Sequence, residues 1–121
     1  MEMYQPFHLK SKLQAYIVRL ATQESTYLIA TAQGIFSDDH PDAAAMTVTL
    51  SWLNVLEGYM WKRIRGAGLA YSASVSANMR YGQVAFKVYR SPNGFAAWHE
   101  AGKIIAEISS GAVCLFGRWG E

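Results

Sequence analysis

A chain of 121 residues and 13.4 kDa makes one ordinary domain and is too short for two. With 51% apolar and 17% charged residues and a mean hydropathy of +0.03, it carries too much apolar bulk and too little charge for an intrinsically disordered chain. Eleven basic and nine acidic side chains leave +2, which gives no reason to expect a nucleic-acid partner, and the single cysteine, Cys114, excludes an internal disulfide framework and a cysteine-built zinc site.

No apolar run approaches the roughly 18 residues of a membrane span, so no membrane partner is expected. The opening Met-Glu-Met-Tyr-Gln-Pro has neither a basic nor an apolar signal region, and the expected location is intracellular, cytoplasmic or otherwise.

Residues 1–12 are mixed polar and aromatic and read as an irregular arm. Residues 15–21 are rich in β-branched and aromatic types, which predicts a strand with Tyr16, Val18 and Leu20 on one face. A polar turn from Thr22 to Ser25 leads to a second predicted strand over residues 27–32, ended by Gly34. The spacing favours an antiparallel hairpin. A helix follows: Asp39 and His40 precede Pro41, a residue suited to the first helical position, and Asp42 complements the helix dipole. Met46, Leu50, Leu53, Met60 and Ile64 recur at helical spacing, and Gly66 and Gly68 stop the run. A second apolar stripe, Val48, Trp52, Val55 and Tyr59, calls for cover on another side.

Tyr71, Ala73 and Val75 alternate with Ser72, Ser74 and Ser76, and Val84, Phe86 and Val88 with Ala85, Lys87 and Tyr89. These are two half-exposed strands joined through Asn78 to Gly82. Ser91-Pro92 then predicts a second helix with a hydroxyl cap, and Phe95, Trp98, Ile105 and Ile108 form its apolar side. The order β-β-α-β-β-α predicts an α+β fold: a mostly antiparallel four-stranded sheet with two helices packed on one face, a single domain over 1–121.

The sequence carries no zinc-hydrolase motif. His99-Glu100 continues Ala-Gly-Lys, which fits neither His-Glu-x-x-His nor its inverted form, and His8 and His40 lie far apart. Cys114 sits between Val113 and Leu115, a setting that raises a thiol pKa and suits a small hydrophobe better than a nucleophile. There is no Gly-x-Ser-x-Gly elbow and no phosphate-binding glycine loop behind a strand. No catalytic residue, metal ligand or cofactor is assigned. The run from Trp61 to Tyr71 is different. Cations at a helix C-terminus account for Lys62 and Arg63 by satisfying carbonyls and the dipole. Arg65 and Tyr71 lie across a glycine-rich connection, Gly66 and Gly68, that lets them converge. A guanidinium and a phenol facing one spot can hydrogen-bond a carbonyl.

The stretch from Leu53 to Tyr71, Leu-Asn-Val-Leu-Glu-Gly-Tyr-Met-Trp-Lys-Arg-Ile-Arg-Gly-Ala-Gly-Leu-Ala-Tyr, resembles the C-terminal half of pitrilysin-type (insulysin-like) zinc metallopeptidases, especially their presequence-protease branch and its fungal relatives. The likeness continues through Gly82 to Pro92 and covers about residues 8–108; residues 109–121 have no counterpart in it. It implies a long protein of similar α/β units around a chamber, with the zinc motif in the other half. It also implies an arginine and a tyrosine, here Arg65 and Tyr71, that reach the backbone of a substrate peptide, with Gly66 and Gly68 as the supporting loop. The chain matches about one such unit and lacks the zinc-bearing half, which reads as a truncated relative or an excised or alternatively ended product. The expected function is therefore a non-catalytic metallopeptidase-like domain that binds peptide or protein partners. The alternatives are part of a zinc metalloendopeptidase whose catalytic half is elsewhere, or an independent immunomodulatory or lectin-like protein on the same scaffold. The leftover apolar groups of both helices, with Leu115, Phe116 and Trp119, lead us to expect a homodimer.

Overall fold

The computed structural model describes residues 16–111. Its elements are β1 (Thr26–Gln33), α1 (Ala43–Leu53), a π-helical segment (Trp61–Arg65), β2 (Ser72–Asn78), β3 (Gln83–Ser91) and α2 (Gly94–Ser109). They form an antiparallel sheet of order β1-β3-β2 with helices against it, so the chain is of the α+β class.

Among the described residues the sheet has three strands, not the four expected. Residues 16–20 form no strand, and Tyr16, Ile17, Val18 and Leu20 are exposed. β1 instead takes its partner from β3, which matches Leu28 with Val88, Ala30 with Phe86 and Ala32 with Val84 on the helix-covered face. The helical layer reaches β1 through the start of α2, where a Cβ on Gly94 would lie 2.6 Å from Thr26 Cγ2. Nothing described lies beyond that to cover an outer strand, so strand propensity in residues 15–21 has no burial to draw on. The tail with Cys114, Leu115, Phe116 and Trp119, and His8 in the N-terminal arm, lie outside the described residues.

The long first helix is two pieces. α1 ends at Leu53, and residues 54–58 form a turn in which Glu57 adopts a left-handed φ of 59°. Asn54 is the cause visible in the structure. Its amide turns to β2, accepting from Val75 N at 3.0 Å and donating to Val75 O at 2.6 Å. Both atoms lie on the edge of the sheet that β3 leaves free, so one side chain fills the place of a neighbouring strand. Helical spacing resumes after the turn, which is why Met60 and Ile64 still reach the core.

The core joins Leu53, Met60 and Ile64 to Val75, Phe86 and Val88 of the sheet and to Ala97, Ala101 and Ile104 of α2. The small residues on α2 let it lie close to β3. Its N-cap is Asn93, whose side chain accepts from Ala96 N at 3.2 Å, rather than Ser91. Ser91 is fully buried: its hydroxyl donates to Leu69 O at 2.6 Å and accepts from Asn93 N, tying the β2 approach to the start of α2.

Arg63 needs a different account from the one its position suggested. It leaves the helix end and bridges to α2, with Nε donating to Glu100 at 2.6 Å and Nη1 to Glu107 at 2.7 Å. It also donates to the Tyr59 hydroxyl, which itself donates to Glu107. The paired guanidinium holds Glu107 below the usual carboxylate range, and the Glu107 hydrogen bond raises the Tyr59 phenol. Tyr59 also stacks on Trp52 at 5.7 Å between ring centroids, so this part of the second apolar stripe is covered. Val48 and Val55 stay exposed.

Candidate functional site

Arg65 and Tyr71 converge. The π-helical segment ends through Gly66, whose N–H donates to Trp61 O at 2.9 Å in the wide i to i−5 pattern. A Cβ at Gly66 would sit 2.6 Å from Lys62 O, and Gly68 adopts a φ of +75°, so both glycines fit the connection. The chain thus doubles back tightly enough to place the Arg65 guanidinium 4.8 Å from the Tyr71 ring centroid and 5.4 Å from that of Trp61. Arg65 and Tyr71 are both exposed. Neither holds up the core.

The site is larger than this pair. Tyr71 N–H donates to Arg90 O at 2.9 Å, which brings the end of β3 alongside. The Tyr71 ring meets the Tyr89 ring edge-on at 6.1 Å, and Tyr89 meets Tyr27 edge-on at 5.3 Å. The Arg90 guanidinium lies 5.3 Å from the Tyr89 ring centroid, and the neighbouring Tyr27 phenol raises its pKa. Three exposed tyrosines and two exposed arginines therefore make one continuous patch at the end of the sheet. Neither Arg65 nor Arg90 pairs with a carboxylate among the described residues. The contrast is Arg63, two residues from Arg65, which holds two.

From the patch, the uncovered sheet face runs on through Ile29, Lys87 and Ser74 to Thr31, Ala85 and Ser76. A depression there is lined by Ile29, Thr31, Ser76, Gln83 and Lys87 among others. The lining offers hydroxyls, an amide and one ammonium beside an exposed isoleucine, a surface suited to an extended backbone with mixed side chains.

Tyr27, Tyr89 and Arg90 were not singled out from the sequence. Tyr89 does stand on the exposed side of a predicted strand. Arg90 gave no signal, because alternation puts it on the same face as Val88 and Phe86. Among the described residues no three His, Cys, Asp or Glu side chains gather into a metal-binding group. No described helix is long and apolar enough to cross a membrane.

No protein-family model matches the chain. It is 30% identical over 102 residues to an uncharacterized protein of Saccharomyces cerevisiae, an alignment taking in 83% of this chain and 10% of that protein. It is 26% identical over 108 residues to an uncharacterized protein of Schizosaccharomyces pombe, over 89% of this chain and 10% of the relative. The chain thus spans about a tenth of the length of these relatives. No solved structure matches it.

Proposed function

We propose that this domain binds extended peptide or protein segments, without catalysis of its own, and that it corresponds to one unit of a larger pitrilysin-type protein. The observation that carries the reading is the meeting of Arg65 with Tyr71 at 4.8 Å on an exposed surface. A six-residue spacing interrupted by glycines suggested that meeting, and the core does not require it. The adjoining uncovered sheet face gives a bound segment somewhere to lie. The tenfold greater length of the yeast relatives is in keeping with a unit of something larger.

The roles follow from the chemistry of the two side chains. The guanidinium offers a planar set of donors to a peptide carbonyl, while the Tyr71 and Trp61 rings hold its plane. The Tyr71 hydroxyl is a second donor toward the same region. Nothing in this set activates water or attacks a carbonyl.

The test measures binding of unstructured peptides of about ten residues by fluorescence anisotropy, beside zinc content and peptide cleavage. Tyr71→Phe keeps the ring under Arg65 and removes only the hydroxyl; Arg65→Ala removes the guanidinium. Both are expected to weaken binding with an unchanged melting temperature. Unfolding by either variant, or binding indifferent to both, overturns the reading. Chelator-sensitive cleavage by the isolated chain overturns its non-catalytic part.

A further inference from the structure

The register between β1 and β3 slips once. Thr26 pairs with Ser91 and Leu28 with Val88, so Tyr27 alone faces both Tyr89 and Arg90. This is a bulge, and Arg90 at its centre has a φ of 53°. That left-handed conformation is unfavourable for a residue with a Cβ. Its effect on the side chain is specific. In unbroken alternation Arg90 would share the buried face of Val88. The bulge turns it out to Tyr27 and Tyr89 on the exposed side.

The result is a second cation with the same surroundings as the first. Arg65 lies between Trp61 and Tyr71, and Arg90 against Tyr89 and Tyr27. An aromatic face lies against each guanidinium, and no carboxylate among the described residues occupies its hydrogen-bonding edge. Two arginines left without acids, with phenol hydroxyls around them, form a set of donors that lacks an acceptor.

We infer that Arg90, with Tyr27 and Tyr89, extends the Arg65–Tyr71 pair into a subsite for a carboxylate, so that bound segments are selected for an acidic side chain or a free C-terminus near this end of the sheet. The inference rests on the peptide-binding reading and adds a charge preference to it. Guanidinium and carboxylate match as planar, two-point partners, and the phenols donate to the remaining lone pairs.

The experiment compares four probes of one ten-residue sequence by fluorescence anisotropy: neutral with an amidated C-terminus, the same with one internal Glu, the same with the Glu replaced by Gln, and neutral with a free C-terminus. The Glu or the free-carboxylate probe is expected to bind about tenfold more tightly than its neutral counterpart at low salt, with the margin shrinking as salt rises. Whichever arm gains identifies the source of the carboxylate. Two variants test Arg90 itself. Arg90→Gln is expected to erase the margin, read as the ratio of charged-probe to neutral-probe affinity within the variant. Arg90→Gly relieves the left-handed strain, so it is expected to melt no lower than the parent while losing the margin in the same way. Equal binding of charged and neutral probes by the parent, or a margin that survives both variants, overturns the carboxylate subsite while peptide binding stands. Failure of all four probes to bind overturns both readings.

Discussion

Asn54 performs a task that strands usually perform, and replacing it measures how much that task contributes. Its side chain makes two hydrogen bonds to the backbone of Val75, at 3.0 and 2.6 Å. A typical intramolecular hydrogen bond is worth about 1 kcal/mol net, so Asn54→Ala is expected to destabilise the domain by about 2 kcal/mol. For a domain of this size that lowers the melting temperature by roughly 8 °C. Water can reach part of the vacated edge, which keeps the loss near this figure rather than at the larger cost of orphaned buried groups. Asn54→Asp separates the two bonds. A carboxylate still accepts from Val75 N–H, but it has no donor for Val75 O and sets a negative oxygen against that carbonyl. At neutral pH it is expected to be at least as destabilising as alanine. Protonation restores a donor, so the Asp variant has a raised folded-state pKa, gains on the Ala variant as pH falls through that raised value, and holds the full gain below about pH 4. Urea denaturation of both variants across pH gives the comparison. If Asn54→Ala stays within about 0.5 kcal/mol of the parent, the range of ordinary surface substitutions, the edge-filling role is refuted.

Two further outcomes are expected. The depressed Glu107 pKa contributes stability above the ordinary glutamate value of about 4.3, and that contribution is lost as pH falls through the lower folded value; thermal melts in acid are therefore expected to show a shallower decline for Glu107→Gln than for the parent, and identical declines would deny the Arg63 pairing that role. We also propose that the chain forms a homodimer through apolar groups left exposed on and beside its helices, Val48 of α1 and Val55 of the turn after it with Phe95, Trp98 and Ile105 of α2; sedimentation equilibrium at about micromolar concentration is expected to give a dimer weakened by Trp98→Gln, whereas a 13.4 kDa species for the parent would overturn it.

The fold was legible wherever periodicity met burial. Ser72 to Ser76 and Val84 to Tyr89 alternate because β2 and β3 have one face under the helices and one uncovered, and both strands are present. Met60 and Ile64 reach the core although the helix carrying them is interrupted, because spacing reports a face and not the continuity of the backbone. The misplaced features depend on distant partners. Nothing local says that Asn54 will leave its helix for Val75, twenty-one residues on. Nothing in residues 15–21 says that β1 will pair with β3 alone. Arg65 and Tyr71 were found because glycines between them made their approach a local matter. Arg90 was hidden because a bulge is a property of two strands in register.

Arg63 and Arg65 are two like residues on one short segment with different surroundings. Arg63 meets Glu100 and Glu107, which neutralise it and fasten the π-helical segment to α2. A ligand carboxylate arriving there would have to displace a resident one, gaining one charged pair and losing another. Arg65 and Arg90 lie against aromatic rings, which restrict the guanidinium plane, and among the described residues neither pairs with a carboxylate. An incoming acceptor then replaces only water, and the side chain is already ordered, so less rotamer freedom is lost on binding. Swapping the arrangement would reverse the roles. A carboxylate introduced as Tyr27→Glu, beside Arg90, would neutralise the second cation in place, and a ligand carboxylate would then have to displace it.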